Sequence, residues 1–454
     1  ANDLSENSNV MLNLYQFGDH TKFWSSPVRY DATGAAVTDV NAYANDNDYK
    51  QTQRGLKGEW RNAGESLAWM GGMDLRDNSF KNFVSVLQDY KASPSRRSRV
   101  IKAGTITANN KTKERVYAGY AEAKYRLFAP LMLTMNGRFD HIKLDYSDSL
   151  AGAAAPNLNK SFNVGSWRAG LTYDMGDNAS LYSNVSTGFR APSIRQLFAG
   201  TISPTGRTAA NPSLKPERAV NYEIGMRGKV DALAGLDWDI ALFRIERKDF
   251  ILDVAGQYGF AGSGQYQNIG GVRDQGVEVA LKTDQQRMFS ANLAYTYLDA
   301  KFTRYDNFGL VLGNAFSPRP GANRIVNFNN AGNQVPRTPH HKLFLAANIR
   351  PLDGLVFTTE INAQSAYFAD EINRVKIGGH TEFNLVANYD FSLGANNAIN
   401  IAMFGRVDNA LDRTYYNTAR GFKDSNNDFV YNAEDISVVV NPGRRFTAGI
   451  TATF

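Results

Sequence analysis

The chain has 454 residues, 43% hydrophobic and 12% aromatic, with no cysteine and a net charge of +6. The absence of cysteine excludes disulfides, thiol nucleophiles and cysteine metal sites. A mean hydropathy of −0.39 and the lack of any apolar run near the ~18 residues of a membrane helix exclude a helical membrane protein, but not a membrane barrel, whose strands are only half apolar.

Period-2 alternation predicts strands near 10–24, 49–60, 65–76, 114–128, 131–146, 161–174, 179–188, 217–228, 236–252, 267–282, 288–303, 339–350, 355–368, 376–390, 398–408 and 444–454. In "YAGYAEAKYRLF", Tyr117, Ala121, Ala123, Tyr125 and Leu127 oppose Glu122, Lys124 and Arg126. In "LVFTTEINAQ", Leu355, Phe357, Ile361 and Ala363 oppose Thr358, Glu360, Asn362 and Gln364. The closing "GRRFTAGITATF" sets Phe446, Ala448, Ile450, Ala452 and Phe454 against Arg445, Thr447, Gly449, Thr451 and Thr453. Many of these strands are longer than the ~5–6 residues usual in soluble sheets.

Short connections at 61–64, 129–130, 175–178, 283–287, 351–354 and 392–397 alternate with long ones at 25–48, 77–113, 147–160, 189–216, 253–266, 304–338 and 409–443. One connection, 369–375, is brief where a long one is due. Such alternation is expected of an outer-membrane barrel, with short periplasmic turns and long outer loops. The expectation is therefore an all-β chain, a transmembrane antiparallel barrel over 1–454. Loops 77–113 and 409–443 are expected outside and turns 175–178 and 351–354 in the periplasm. Phe454 ends the apolar stripe and is expected to serve recognition by the insertion machinery.

The segments "GFRAPSIRQLF" (188–198) and "NPSLKPERAVNYEIG" (211–225) resemble a pair of boxes in TonB-dependent outer-membrane receptors. "NIGGVRDQGVEVAL" (268–281), "PRTPHHKL" (336–343), "VDNALDRTYY" (407–416) and the closing "NPGRRFTAGITATF" are similar to other parts of that family. The resemblance implies a barrel of about 22 strands around an N-terminal plug that the inner-membrane TonB complex pulls. About sixteen strands and no plug are readable here, so the chain reads as the C-terminal portion of such a receptor. The implied function is active uptake of an iron chelate, most simply a ferric siderophore. A passive sixteen-stranded porin, and receptors for haem, cobalamin or a glycan, are the other readings. The implied partners are the TonB complex, the outer membrane and lipopolysaccharide; no nucleic acid and no cofactor is expected.

Candidate ligand residues follow from charge. Loop 77–113 carries eight basic residues against Asp77 and Asp89, and "SPSRRSR" concentrates Arg96, Arg97 and Arg99. Guanidinium groups suit bidentate capture of carboxylate, catecholate or phosphate. A solvated loop touching lipopolysaccharide accounts for the same charges. Arg190 and Arg195 of the "FRAP" box either shape the strand exit or face a binding vestibule. The resemblance places a haem-binding histidine between the boxes, but 193–210 holds none. His340 and His341 sit at a strand entry, and the five scattered histidines form no catalytic constellation, so no enzyme is expected. Asp424, Asn426, Asp428 and Asp435 fall at positions 1, 3, 5 and 12 of a calcium-loop spacing, with Phe429 in place of the invariant glycine. This is either a polar loop or a weak calcium site.

Overall fold

A computed structural model describes residues 2–5, 7–25, 30–31, 33–37, 43–91, 99–150, 157–199, 208–255, 264–314, 319, 321–394, 399–421 and 424–453. Arg96, Arg97 and Phe454 lie outside them. Sixteen long antiparallel strands carry the fold. They are β1 (Ser8–Ser25), β2 (Asn45–Ala63), β3 (Leu67–Val86), β4 (Ile106–Phe128), β5 (Leu131–Asp148), β6 (Asn157–Asp174), β7 (Ala179–Arg190) and β8 (Glu217–Val230). They continue as β9 (Leu236–Ala255), β10 (Gly264–Lys282), β11 (Phe289–Arg304), β12 (His341–Leu352), β13 (Leu355–Gln364), β14 (His380–Leu393), β15 (Ile399–Asp408) and β16 (Arg445–Thr453). Each matches one strand expected from alternation.

The boundaries differ at the long-loop side. β3 runs to Val86 and β4 begins at Ile106, so the long connection is 87–105, not 77–113. Lys81, Lys111 and Lys113 are therefore strand residues. Apolar and polar side chains are mixed on both faces there, Phe80, Val84 and Val86 on one and Phe83 on the other, so hydropathy stops alternating while the backbone ladder continues. The apparent exception at 369–375 also disappears. β13 ends at Gln364 and β14 starts at His380, leaving a long connection that contains its own small hairpin, Tyr367–Phe368 with Lys376–Ile377. Short and long connections then alternate throughout.

The chain divides into two compact units. The first comprises residues 1–125, 135–167 and 193–199. In it β1 pairs β2, β2 pairs β3 and β3 pairs β4 without interruption over most of their length. One row across these strands, Leu14, Leu56, Leu75 and Tyr117, is apolar on the side away from Glu59, Asp74 and Tyr120. At the short-turn end Trp60 and Trp69 meet edge-on at 5.1 Å, as expected of an interfacial aromatic belt. A single helical turn, Arg195–Ala199, buries Leu197 and Phe198, the latter stacked on Tyr146 at 6.2 Å.

The second unit comprises 126–134, 168–192 and 200–454. β7 to β16 pair in chain order. Leu385, Val407 and Phe446 form an apolar row across β14, β15 and β16. On the opposite face Arg406 binds Glu360 at 2.8 Å and Asp408 at 2.6 Å, and Arg445 reaches Asp408 at 3.4 Å.

Tyrosines cross-tie the polar face in both units. Tyr120 pairs with Gly72 and donates its hydroxyl to Glu59 on the far strand at 2.9 Å. A Cβ on Gly72 would come within 2.6 Å of that ring. Glycine is required at this position because the ring lies directly over the backbone.

Candidate functional site

The two boxes that flank 193–210 meet through strand register. Arg190 closes β7 and stands opposite Glu217, the first residue of β8. Glu217 is buried, and its carboxylate accepts Arg190 Nε at 2.7 Å and the Ile251 amide at 2.8 Å. The second box is stapled to β10. Asn268 donates to the Lys215 carbonyl at 2.9 Å and accepts the Lys215 amide at 2.9 Å, while Asn211 donates to the Tyr266 carbonyl at 2.9 Å. These bonds satisfy backbone groups that Pro212 and Pro216 prevent from joining a ladder.

Beyond the strands, three connections fold on one another. Phe308–Gly313 pairs with Asn323–Phe328, and Tyr416–Arg420 pairs with Ser437–Val440. Together with the 367–377 hairpin they bury Phe302, Tyr305, Phe308, Leu310, Tyr367 and Tyr431 in one cluster. Loop ends normally remain solvated. Here about a dozen apolar side chains share a core, so these loops form a folded cap.

Asp424 ties the cap together. It is 2% exposed, and its carboxylate accepts amides of Gly313, Asn427 and Phe429, each at 2.7 Å. Burial pushes its pKa up, but those amides outweigh burial and hold it below the usual carboxylate range. Asp428 accepts the Val430 amide at 2.7 Å, and Asp435 accepts the Asn432 amide at 2.9 Å. The calcium-like spacing thus arises from carboxylates turned onto their own backbone. Among the described residues no group of three metal-binding side chains is gathered.

Polar groups without partners lie inside the cap. Tyr367 and Tyr431 hydroxyls and Glu371 Oε2 are buried and unbonded. Burial raises the Glu371 carboxyl pKa, with Arg337 and Arg420 opposing, and burial likewise pushes the Tyr305 and Tyr431 phenols up. Beside the cap, His380 stacks flat on Tyr415 at 3.9 Å, and Tyr415 donates to Glu382.

Of the expected ligand residues, Arg190 is committed to Glu217, and Arg195 and Arg99 are exposed. The charge attributed to one loop is dispersed. Lys102 pairs with Asp89 at 2.7 Å, Lys91 is buried, and three lysines stand on strands. Sequence reasoning missed Glu217, Glu371, Tyr415 and the shared loop core, although Glu217 and Tyr415 lay inside segments that had been noticed, 211–225 and 407–416.

All-β strands of this length, one face apolar and the other braced by charge, define an outer-membrane barrel protein. Residues 2–410 match the family described as TonB dependent receptor-like, beta-barrel, and the chain belongs to that family. The probable TonB-dependent siderophore receptor PiuA of Acinetobacter baumannii is 23% identical over 63% of this chain and 35% of its own length. The vitamin B12 transporter BtuB of Photobacterium profundum is 28% identical over 33% of this chain and 23% of its own. The ferric yersiniabactin uptake receptor FyuA of Yersinia pestis superposes with a TM-score of 0.66 at 17% identity, covering 99% of this chain and 59% of FyuA. The chain thus spans well under two thirds of these relatives' own lengths.

Proposed function

We propose that this chain serves active uptake of an iron chelate, most simply a ferric siderophore, driven by TonB. The folded cap carries the reading. Three long loops held on one apolar core present fixed tyrosine, histidine and arginine side chains, as capture of a dilute solute requires. A passive pore gains nothing from such a surface, and family membership favours a receptor over a porin. The described residues of the cap offer binding groups, and the named relatives are receptors and transporters, which supports transport as the reading. Cobalamin stands as the second substrate class, favoured by the BtuB likeness.

Fluorescence titration of the protein against ferric catecholate, hydroxamate and carboxylate chelates, haem and cobalamin tests the substrate class. Saturable binding of one ferric chelate, with uptake lost in cells lacking TonB, is expected. Binding of cobalamin alone overturns the iron reading, and uptake that persists without TonB overturns active transport.

A further inference from the structure

The polar face of the first unit carries bare aromatic rings toward the long loops. Phe23 of β1 meets Tyr49 of β2 edge-on at 5.3 Å and 74°, and Tyr49 meets Phe80 of β3 at 5.9 Å and 48°. Phe23 is 42% and Phe80 37% exposed. Register fixes their common face. Thr21, Tyr49 and Asn82 form one row across β1, β2 and β3, and Asp19, Gln51 and Phe80 form the row beside it. Glu114 of β4 lies on the same face, opposite Asn78. This is the side of Glu59, Asp74 and Tyr120, two residues apart along each strand.

Charge is sorted between the two faces of these strands. From Phe17 to Phe23, Asn47 to Gln53, Asn78 to Val84 and Ala108 to Glu114, the polar face holds no lysine, arginine or histidine. Arg54, Lys50, Lys81, Arg115 and Lys111 all stand on the other face. Asp19 accepts the Thr21 hydroxyl at 2.6 Å and Glu114 the Asn78 amide at 2.9 Å, and among the described residues neither meets a cation. Asn78 and Asn82, on either side of Phe80, each leave a side-chain carbonyl oxygen buried without a donor. An unmet acceptor is costly. What this face lacks is positive charge and N–H groups.

We propose that this face binds an organic cation, an alkylammonium or guanidinium group, seated against Phe23, Tyr49 and Phe80 and balanced by Asp19 and Glu114. An aromatic face attracts a cation within about 6 Å of its centroid. Rings set at steep angles to one another form a cup around a compact cation; a sugar or a catechol stacks on a flat platform, which this cluster lacks. Ammonium and guanidinium groups donate hydrogen bonds and accept none, which suits orphaned carbonyl oxygens. An anion here meets two carboxylates and no counter-charge. With strands about 4.8 Å apart, Asp19 stands about 10 Å from Phe80 along its row, so a short chain with a cation at each end reaches both. The inference holds for a free cation and for a cationic arm on a larger solute, and it does not rest on the iron reading.

Saturation-transfer NMR of the detergent-purified protein with agmatine, which carries a guanidinium and an ammonium, tests this beside neutral 1,5-pentanediol and anionic glutarate. Saturable binding of agmatine alone is expected. Asp19→Asn and Phe80→Leu should each weaken it by about fivefold. Asp353→Asn, which removes a carboxylate from an exposed turn of the second unit, should leave it unchanged. If Phe80→Leu does not insert, Asp19→Asn carries the comparison, since Asp19 is exposed. A ferric trihydroxamate ending in a free amine, bound more tightly than its N-acetyl form in wild type but not in Asp19→Asn, assigns the cation to a chelate arm. Agmatine binding without that difference assigns it to a free solute. No saturable agmatine binding, glutarate bound as tightly as agmatine, or equal agmatine affinity in wild type and both variants overturns the proposal. Failure of every ferric chelate to bind overturns the iron reading and leaves the agmatine result standing.

Discussion

The hydroxyl of Tyr182 reaches across a neighbouring strand to the carboxylate of Asp239, 2.9 Å away. The strand it crosses presents Gly225, which is paired with both Tyr182 and Ala241. Tyr120, Gly72 and Glu59 repeat the arrangement in the other unit. The abundance of tyrosine and glycine therefore has a specific use: a phenol bridges three strands where the middle one lacks a side chain.

Substitution of Gly225 by alanine would put a Cβ 2.4 Å from the Tyr182 ring and 2.8 Å from the Ile240 carbonyl. A loss of about 1–3 kcal/mol is expected from overpacking. Gly188→Ala, whose Cβ meets nothing within 4 Å, is the control and should be neutral or mildly stabilising. Chemical unfolding in detergent micelles measures both, and equal midpoints would refute the bridging role.

Asp424→Asn should loosen the cap, since the carboxamide cannot accept three amides as strongly. The depressed native pKa also sets a sign. Stabilisation is full above the unfolded carboxylate value of about 3.9 and is lost as pH falls through the lower native value. Hydrogen exchange at Gly313 and Phe429 should accelerate in that acid window in wild type, but stay independent of pH, after correction for intrinsic rates, in the variant.

Glu371 behaves in the opposite way. Its raised pKa means that ionisation opposes folding, with no penalty below the unfolded value and a growing one as pH rises above it. Glu371→Gln should therefore protect amides of 365–379 most at neutral pH and least near pH ~4. A variant less protected than wild type at neutral pH would show that the carboxylate is stabilised by an unseen partner.

Arg190→Gln leaves Glu217 buried with only the Ile251 amide. Because Arg190 is itself 56% exposed, the loss should stay near about 1–3 kcal/mol rather than the larger cost of a fully buried pair. Ligand association should change little. A large fall in ligand affinity without a shift in melting would instead make Arg190 a binding residue.

Arg96, Arg97 and Arg99 belong to the long connection after β3. Replacing all three with glutamine should slow association of an anionic chelate and flatten its salt dependence, with less effect on dissociation. Stopped-flow measurement at low ionic strength gives the answer, and an unchanged on-rate leaves the segment as a solvated loop.

Alternation revealed all sixteen strands because one face of each meets lipid and the other does not. It misplaced the ends of β3 and β4 because Asn78, Lys81, Asn82 and Lys111 are interspersed with Phe80, Phe83 and Val84 on both faces, so neither face reads as apolar throughout. Tyr367 and Phe368 looked like the end of β13 because their apolar side chains continue its pattern, although both belong to the loop hairpin and Tyr367 to the loop core. That core was not legible, since it depends on 308–313 meeting 424, more than a hundred residues away. The Asp424 spacing left a polar loop and a weak calcium site both open, because turns that bind their own backbone use the same residues as calcium loops.

The shared core of the cap has a kinetic consequence. Tyr305, Tyr367 and Tyr431 come from three different connections yet occupy one cluster, so none of these loops can swing outward without exposing apolar surface on the other two. They open as a single cooperative unit. A solute that touches one hairpin tip therefore alters the opening rate of all three, and entry and exit through the cap share one barrier.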